Sequence, residues 1–130
     1  SAAAAARRIA MTASPRPLIQ LTDDVLSHGT VFRFPAAWPY EAMVDLMLFD
    51  NPDEERPHGL MVTTGQKAGL ILVLLPPESA HPQRRGVRTE WLVTQWGYWV
   101  YPECPVEQVQ VLRRYPAPVP HPPAMPNGTR

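Results

Sequence analysis

Four histidines and one cysteine are the residues of this chain that could bind a metal ion or act as a nucleophile with its base. The histidines are His28, His58, His81 and His121. All four fall in predicted loops or in the C-terminal tail, and no two have the spacing of a metal-binding pair. With no second cysteine for a zinc site, the pattern predicts no metal and no cofactor.

Cys104 is the one candidate nucleophile, and His58 is the base that could be imagined beside it. The cysteine follows a predicted helix, where the negative end of the helix dipole disfavours the thiolate that such a reaction needs. We therefore expect Cys104 to be a small buried side chain, and the protein to be no enzyme.

An acidic stretch, predicted as a polar loop over residues 50–58, offers a second kind of chemistry. It contains Asp50, Asp53, Glu54 and Glu55 but lacks the regular spacing of oxygen ligands in a calcium loop. Such a loop is either solvated or a contact for a basic partner. We assign these four acids to partner binding, with Trp38 as a nearby aromatic anchor, because aromatic side chains dominate binding energies and charges steer association.

Length and charge limit the class of protein. The 130 residues suffice for one domain with a modest core. Residues 17–115 carry 8 basic and 12 acidic side chains, a net charge of −4, which argues against a nucleic-acid partner and suits a basic protein. No segment reaches the roughly 18 consecutive apolar residues of a membrane helix. A single free thiol fits a reducing compartment, so we expect a cytoplasmic protein.

The two ends of the chain differ in composition from its middle. Residues 1–16 are predicted to be a disordered or artificially added segment, with Met11 as a plausible natural start. Residues 116–130 hold 6 of the 17 prolines and no periodic pattern, which predicts a disordered, proline-rich tail. A single domain is therefore expected over residues 17–115.

Three of the four tryptophans lie close together, in a stretch with a helical period. Leu92, Trp96 and Trp99 follow one another at spacings of four and three residues, so they share one face of a helix. We predict a helix with its N-cap at Thr89 and its end before Pro102. The shared face favours burial of the indoles against a sheet.

Apolar runs on either side predict that sheet. The strands are predicted at residues 30–34, 42–49, 59–64, 68–75 and 106–112. For residues 42–49 the alternative is a short helix between Pro39 and Pro52. The unbroken apolar run of residues 68–75 predicts a central strand buried on both faces. Residues 106–112 are expected to return to an edge, with Val109 and Val111 on one side. The predicted fold is α+β, a small two-layer domain of mostly antiparallel meander with one tryptophan-rich helix packed on a face.

Two runs of the chain combine glycines and aromatic residues in a distinctive order. They read GLMVTTGQKAGLILVLLPPES and TEWLVTQWGYWVYPECPVEQVQVL. The positions that carry the pattern are Gly65, residues 67–70, residues 91–92, Trp96, residues 99–102 and Cys104. Through them, residues 28–112 resemble the immunity protein 45 family of bacterial polymorphic-toxin systems. The resemblance implies a cytoplasmic protein without catalysis that binds one cognate toxin domain and blocks it.

Two other functions are compatible with the sequence. One is a small ligand-binding domain or enzyme with a site built from loops around His58, Cys104 or the acids. The other is a secretion-system accessory or adaptor protein that binds through its proline-rich tail. The immunity interpretation instead predicts that the tail is dispensable.

Overall fold

The computed structural model describes residues 14–121. The predicted start at Met11, the segment 1–10 and the last part of the proline-rich tail lie outside the described residues. The strands are β1 (Arg16–Pro17), β2 (Val25–Leu26), β3 (Val31–Pro35), β4 (Met43–Asp53), β5 (Arg56–Val62), β6 (Ile71–Leu74), β7 (Val87–Arg88) and β8 (Gln110–Leu112). The helix begins as α1 (Thr89–Gln95) and continues as a π turn (Trp96–Val100).

Six strands form one antiparallel sheet in the order β1-β8-β3-β4-β5-β6, and β2 pairs with β7 in a second, two-stranded sheet. Strands β3 to β6 follow one another as a meander, which buries apolar side chains with short connections. Residues 116–121 contain neither helix nor strand and are exposed. The predicted α+β class, with an antiparallel sheet and one tryptophan-containing helix, is confirmed.

The core lies between the helix and one face of the six-stranded sheet. The pairing register places Phe32 opposite Leu46 and Leu46 opposite Val62, so alternate residues of three strands meet the same layer. Trp96 of the π turn is only 1% exposed, and its ring centroid lies 5.8 Å from that of Phe32 and 5.3 Å from that of Phe34. This aromatic contact joins the helix to the middle of the sheet.

Strand β6 is an edge strand, so the prediction of a central strand over residues 68–75 is wrong. It pairs with β5 alone, and Leu70 and Ile71 are 59% and 56% exposed. Only Leu75, just beyond the strand, is fully buried. A continuous apolar run is typical of a strand buried on both faces, but apolar side chains are also left exposed where they bind a partner. The sequence of the run does not distinguish the two cases.

The acidic stretch is no separate loop, because β4 and β5 extend through most of it. Pairing continues from Asp50 opposite His58 to Asp53 opposite Arg56, with an irregularity between the two pairs. Only Glu54 and Glu55 remain for the turn. Pro52, Pro57 and the acids have low strand propensity, so the sequence predicted a loop here. Pairing between β4 and β5 nevertheless extends both strands, with an irregularity that accommodates these residues.

Two smaller predictions also need correction. The helix has its N-cap at Arg88 and Thr89 as its first residue. The hydroxyl of Thr89 is buried without a hydrogen-bond partner among the described residues and caps nothing, while its backbone N–H donates to the carbonyl of Asp24 (3.0 Å). The last strand is shorter than predicted and lies between β1 and β3 instead of at the edge. Its apolar side is as predicted, since Val109 and Val111 are both buried.

Candidate functional site

Three exposed acids lie together at the turn of the β4–β5 hairpin. Asp53 ends β4 and Glu54 and Glu55 form the turn, where the backbone N–H of Glu55 donates to Oδ1 of Asp53 over 2.9 Å. Side-chain capping of this kind defines the backbone of a turn. The protein therefore presents three carboxylates at one end of the sheet, and we call Asp53, Glu54 and Glu55 the acidic tip.

Asp50, the fourth predicted acid, is engaged within the protein. Its Oδ2 accepts a hydrogen bond of 3.0 Å from Nε of Arg85 and lies 3.7 Å from Nδ1 of His28. Its Oδ1 lies 3.3 Å from Nδ1 of His58, and the side chain is 29% exposed. The charge of Asp50 thus holds the base of the hairpin and is less available to a partner than the acidic tip.

His58 is a buried titratable group in this arrangement. Burial holds the pKa of His58 below its ordinary value, although the charge of Asp50 acts in the opposite direction. Between about pH 7 and pH 5 the unfolded chain takes up a proton at this histidine, whose ordinary pKa is about 6.5, before the folded protein does. The contribution of neutral His58 to the free energy of unfolding is therefore fully present above the ordinary pKa of about 6.5. It is lost as the pH falls from there through the lowered pKa of the folded protein.

We expect His58→Gln to flatten the fall in unfolding free energy on acidification. The slope between pH 7 and pH 5 should decrease by up to about 1.4 kcal/mol per pH unit, since the variant has no proton to take up here. Urea titrations at several pH values measure this. Val62→Ala, a core variant without a titratable group, should shift the whole curve at constant slope. A slope in His58→Gln equal to the wild type would contradict the assignment.

Trp38, the predicted aromatic anchor, lies in the turn between β3 and β4 and is 90% exposed. The turn itself is well braced. The N–H of Ala36 donates to the carbonyl of Ala42 over 2.9 Å, and the N–H of Ala37 donates to the hydroxyl of Tyr101 over 2.9 Å. A fixed turn therefore presents an indole that is left almost entirely in solvent.

The structure does not bring Trp38 close to the acids. Trp38 precedes β4 and the acidic tip ends it, so the length of Met43–Asp53, roughly 30 Å, lies between them. The expected nearness of the anchor is therefore wrong, because the intervening residues are extended along one strand. The assignment of each residue to partner binding stays a prediction.

An ion pair between a buried carboxylate and a partly exposed guanidinium lies on the second face of the sheet, and the sequence did not predict it. Asp45, only 2% exposed, accepts hydrogen bonds from Nε and Nη2 of Arg33 at 2.8 and 2.9 Å. The hydroxyl of Tyr115 donates to Oδ2 of Asp45 over 2.7 Å and shares a 2.6 Å hydrogen bond with the hydroxyl of Thr63. Tyr115 thereby fastens the segment after β8 to β4 and to the residue that follows β5.

The chemistry of Asp45 follows from these contacts. Burial by itself would raise the pKa of Asp45, but the hydrogen bonds from Arg33 and Tyr115 outweigh it and hold the pKa below its ordinary value. The sequence did carry a signal for the pair. Arg33 and Asp45 each interrupt an apolar strand, and opposite charges that face each other across two paired strands stabilise the pairing.

Cys104 and His58 have different partners. Cys104 is buried, its Sγ donates to the carbonyl of Pro105 over 3.4 Å, and burial raises the pKa of its thiol. His58 lies against Asp50 instead. In the part of the chain that the structure describes, no three histidine, cysteine, aspartate or glutamate side chains are placed to hold a metal ion. Within that same part, no helix is both long and apolar enough to cross a membrane.

A cleft of about 440 Å³ opens between the 3₁₀ turn Leu18–Gln20 and the start of α1. Its walls include Ile19, Asp24, Arg88, Glu90 and Val93, a mixture of apolar and oppositely charged groups. Asp24 is paired with Arg84 at 3.1 Å. None of the five residues predicted to bind the partner lines this cleft.

Comparison with known proteins adds one positive finding. Residues 18–111 match the family model described as immunity protein 45. A search of curated proteins gave no match, and a search of solved structures gave none either. The matched range is well over half of the chain, and it runs from the turn after β1 into β8, so it includes the helix and the strands that pack on it. The chain belongs to the immunity protein 45 family of polymorphic-toxin systems.

Proposed function

We propose that this chain neutralises one cognate bacterial toxin domain in the cytoplasm by binding it directly, with no catalysis of its own. The family match carries the proposal, since membership of an immunity family implies that a toxin is neutralised, and such families are typically non-catalytic. The match covers residues 18–111 of the described residues 14–121, which supports the α+β domain as the portion that acts.

The geometry supports binding over chemistry. Of the candidate reactive groups, Cys104 is buried with a raised thiol pKa, and His58 is buried with a lowered pKa beside Asp50. A general base or a nucleophile has to be within reach of a substrate, which neither of these is. The exposed features are instead those of a recognition surface: a charged turn and a bare indole.

Residues 17–115, which we call the acidic body, carry a net charge of −4 and therefore favour a toxin with a basic surface. We assign the acidic tip a role in long-range attraction, which arises from the local field of its three clustered carboxylates and needs no contact. Asp50 supports the tip from the base of the hairpin through its ion pair with Arg85. Trp38 is assigned to direct contact, since aromatic side chains dominate the energies of protein interfaces.

Replacing Asp53, Glu54 and Glu55 together with alanine should slow association with a basic toxin. We expect the association rate constant to fall about 5- to 10-fold at low salt, with a flatter dependence on salt and an unchanged dissociation rate. Surface plasmon resonance at several ionic strengths measures this. A control with Glu78, Glu103 and Glu107 replaced by alanine removes equal charge elsewhere. Unchanged association kinetics in the acidic-tip variant would contradict the role of the acidic tip in attracting the toxin.

The decisive experiment for the function is co-purification of the tagged full chain from native cells, with identification of what remains bound, followed by a toxicity assay. We expect one toxin C-terminal domain at a 1:1 ratio, because the proposed function has one inhibitor bound to one target. Co-expression should also protect cells from that domain. A toxin encoded beside this chain that is expressed, yet neither bound nor neutralised, would overturn the proposal.

A second function, the binding of a small ligand, is favoured by one observation, the cleft beside α1. Its size falls in the range of ligand pockets, and it carries both apolar walls and charged groups. A ligand held there should raise the unfolding temperature of the full chain in a thermal-shift screen. The screen favours this function over neutralisation only if such a ligand is found and no toxin binds.

A further inference from the structure

Exposed apolar side chains are concentrated at one end of the six-stranded sheet. Among the described residues, seven large apolar side chains are strongly exposed, and four of them lie where β4 and β6 begin. These four are Trp38, Met43, Leu70 and Ile71, at 90%, 49%, 59% and 56% exposure. We call them the apolar end, and it lies at the opposite end of β4 from the acidic tip.

The two loops that carry these side chains touch each other. Nζ of Lys67 lies 5.8 Å from the ring centroid of Tyr40, a cation–π contact between the β5–β6 loop and the β3–β4 turn. The carboxylate of Glu41 packs against Gly65, so closely that a side chain at that glycine would collide with it. The apolar end is therefore supported by contacts between its own loops, and its shape exists before any partner arrives.

We infer that the apolar end is the contact surface for the toxin; this inference rests on the proposed function. Its four side chains expose roughly 500 Å² of surface, given that a large aromatic residue alone accounts for 150–250 Å². A standard interface between two proteins needs about 800 Å² on each partner, whereas stable obligate dimers bury considerably more. The area thus suits the apolar centre of a heterologous interface with a polar rim, and is too small for an obligate pair of identical chains.

Charge defines the partner further. The loops 36–42 and 63–70 contain only two formal charges, Glu41 and Lys67, and these are of opposite sign. The toxin surface that fits here has an apolar cavity for the indole of Trp38 and a weakly charged rim. A strongly basic patch on the toxin would face the acidic body at a distance, where it speeds association without forming the contact.

The test measures binding of the full chain to the C-terminal domain of the toxin encoded next to it, in a catalytically inactive form. Trp38→Ala should weaken binding about 30-fold or more, mainly through faster dissociation, as for aromatic hot spots. Its unfolding temperature should stay unchanged, because the indole makes little contact in the free protein. A second variant, Leu70→Ser with Ile71→Ser, should weaken binding in the same way.

Ile19→Ala is the matched control, since Ile19 is also exposed, at 45%, but lines the cleft beside α1. It should change the affinity less than two-fold. Wild-type affinity in both apolar-end variants, or a larger loss in Ile19→Ala, would overturn the inference. So would a dimer of this chain in sedimentation that Trp38→Ala abolishes. If the wild type fails to bind the toxin at all, the proposed function has failed instead.

Discussion

Replacing Trp96 with alanine is expected to lower the free energy of unfolding by about 3–5 kcal/mol, a large part of the stability of a small domain. The indole is almost completely buried and contacts both Phe32 and Phe34, so its removal leaves a cavity between the helix and the middle of the sheet. Urea denaturation followed by circular dichroism measures the change. The variant should protect cells from the toxin poorly, because less of it is folded.

Trp96→Phe is the matched control for this prediction. The indole N–H of Trp96 is buried without a hydrogen-bond partner among the described residues, so phenylalanine removes ring volume and no hydrogen bond. We expect it to be destabilising by only about 1–2 kcal/mol. Equal losses in the alanine and phenylalanine variants would contradict this prediction, because the retained phenyl ring should preserve most of the packing.

Replacing Arg33 with alanine should lower the free energy of unfolding by about 3 kcal/mol, the second largest effect. The change leaves the carboxylate of Asp45, which is 2% exposed, without its bidentate partner. An unpaired buried charge is far less favourable than a paired one. Replacing both residues, with Arg33→Met and Asp45→Leu, should recover most of the stability because no buried charge remains. A double variant worse than Arg33→Ala would contradict this account.

The pH dependence of the same variant gives a further measurement. In the wild type the pKa of Asp45 is lowered below its unfolded value of about 3.9, so the stability from the pair is complete above that pH. It is lost as the pH falls through the lowered, folded-state pKa. In Arg33→Ala the uncompensated carboxylate takes up a proton more readily. The difference between variant and wild type should therefore shrink at acid pH, as measured by urea titration.

Tyr115 links this ion pair to the extent of the domain. The predicted boundary after residue 115 falls directly behind the side chain whose hydroxyl reaches Asp45 and Thr63. Burial raises the pKa of this hydroxyl, and the neighbouring charge of Asp45 acts in the same direction, so it stays a hydrogen-bond donor at neutral pH. The domain range of 17–115 remains a proposal that these contacts support.

Much of the local structure was accessible to sequence reasoning. The apolar run of residues 42–49 predicted a strand, and Val44, Leu46 and Leu48, which share one face of it, are all buried. The spacing of Leu92, Trp96 and Trp99 predicted one helical face against the sheet. Leu92 and Trp96 are buried there, whereas Trp99 is only half-buried. These patterns succeed because the period of a strand or helix is set by neighbours in the chain, so a few residues suffice to reveal which side is apolar.

The candidate site was only partly predictable. Glu54 and Glu55 are exposed at a turn, as their acidic context suggested, whereas Asp50 is paired with Arg85, a residue 35 positions further along the chain. Leu70 and Ile71 looked like core and are exposed. A charged residue within an apolar strand indicates that it needs a partner. Which residue that partner is, and which strand lies at an edge, depend on the distant strand that lies alongside, and no local pattern specifies that.

By itself, the sequence determined the α+β class, the tryptophan-rich helix and the family, because composition, period and motif order are properties of the linear chain. The tertiary structure decided the rest: that β6 is an edge, that Arg33 and Asp45 meet, and that Trp38 and the acidic tip lie at opposite ends of β4. These depend on strand order and register, which arise from contacts between residues far apart in the chain. Their physical origin is the burial of one apolar sheet face beneath one helix, which selects a single arrangement of the strands.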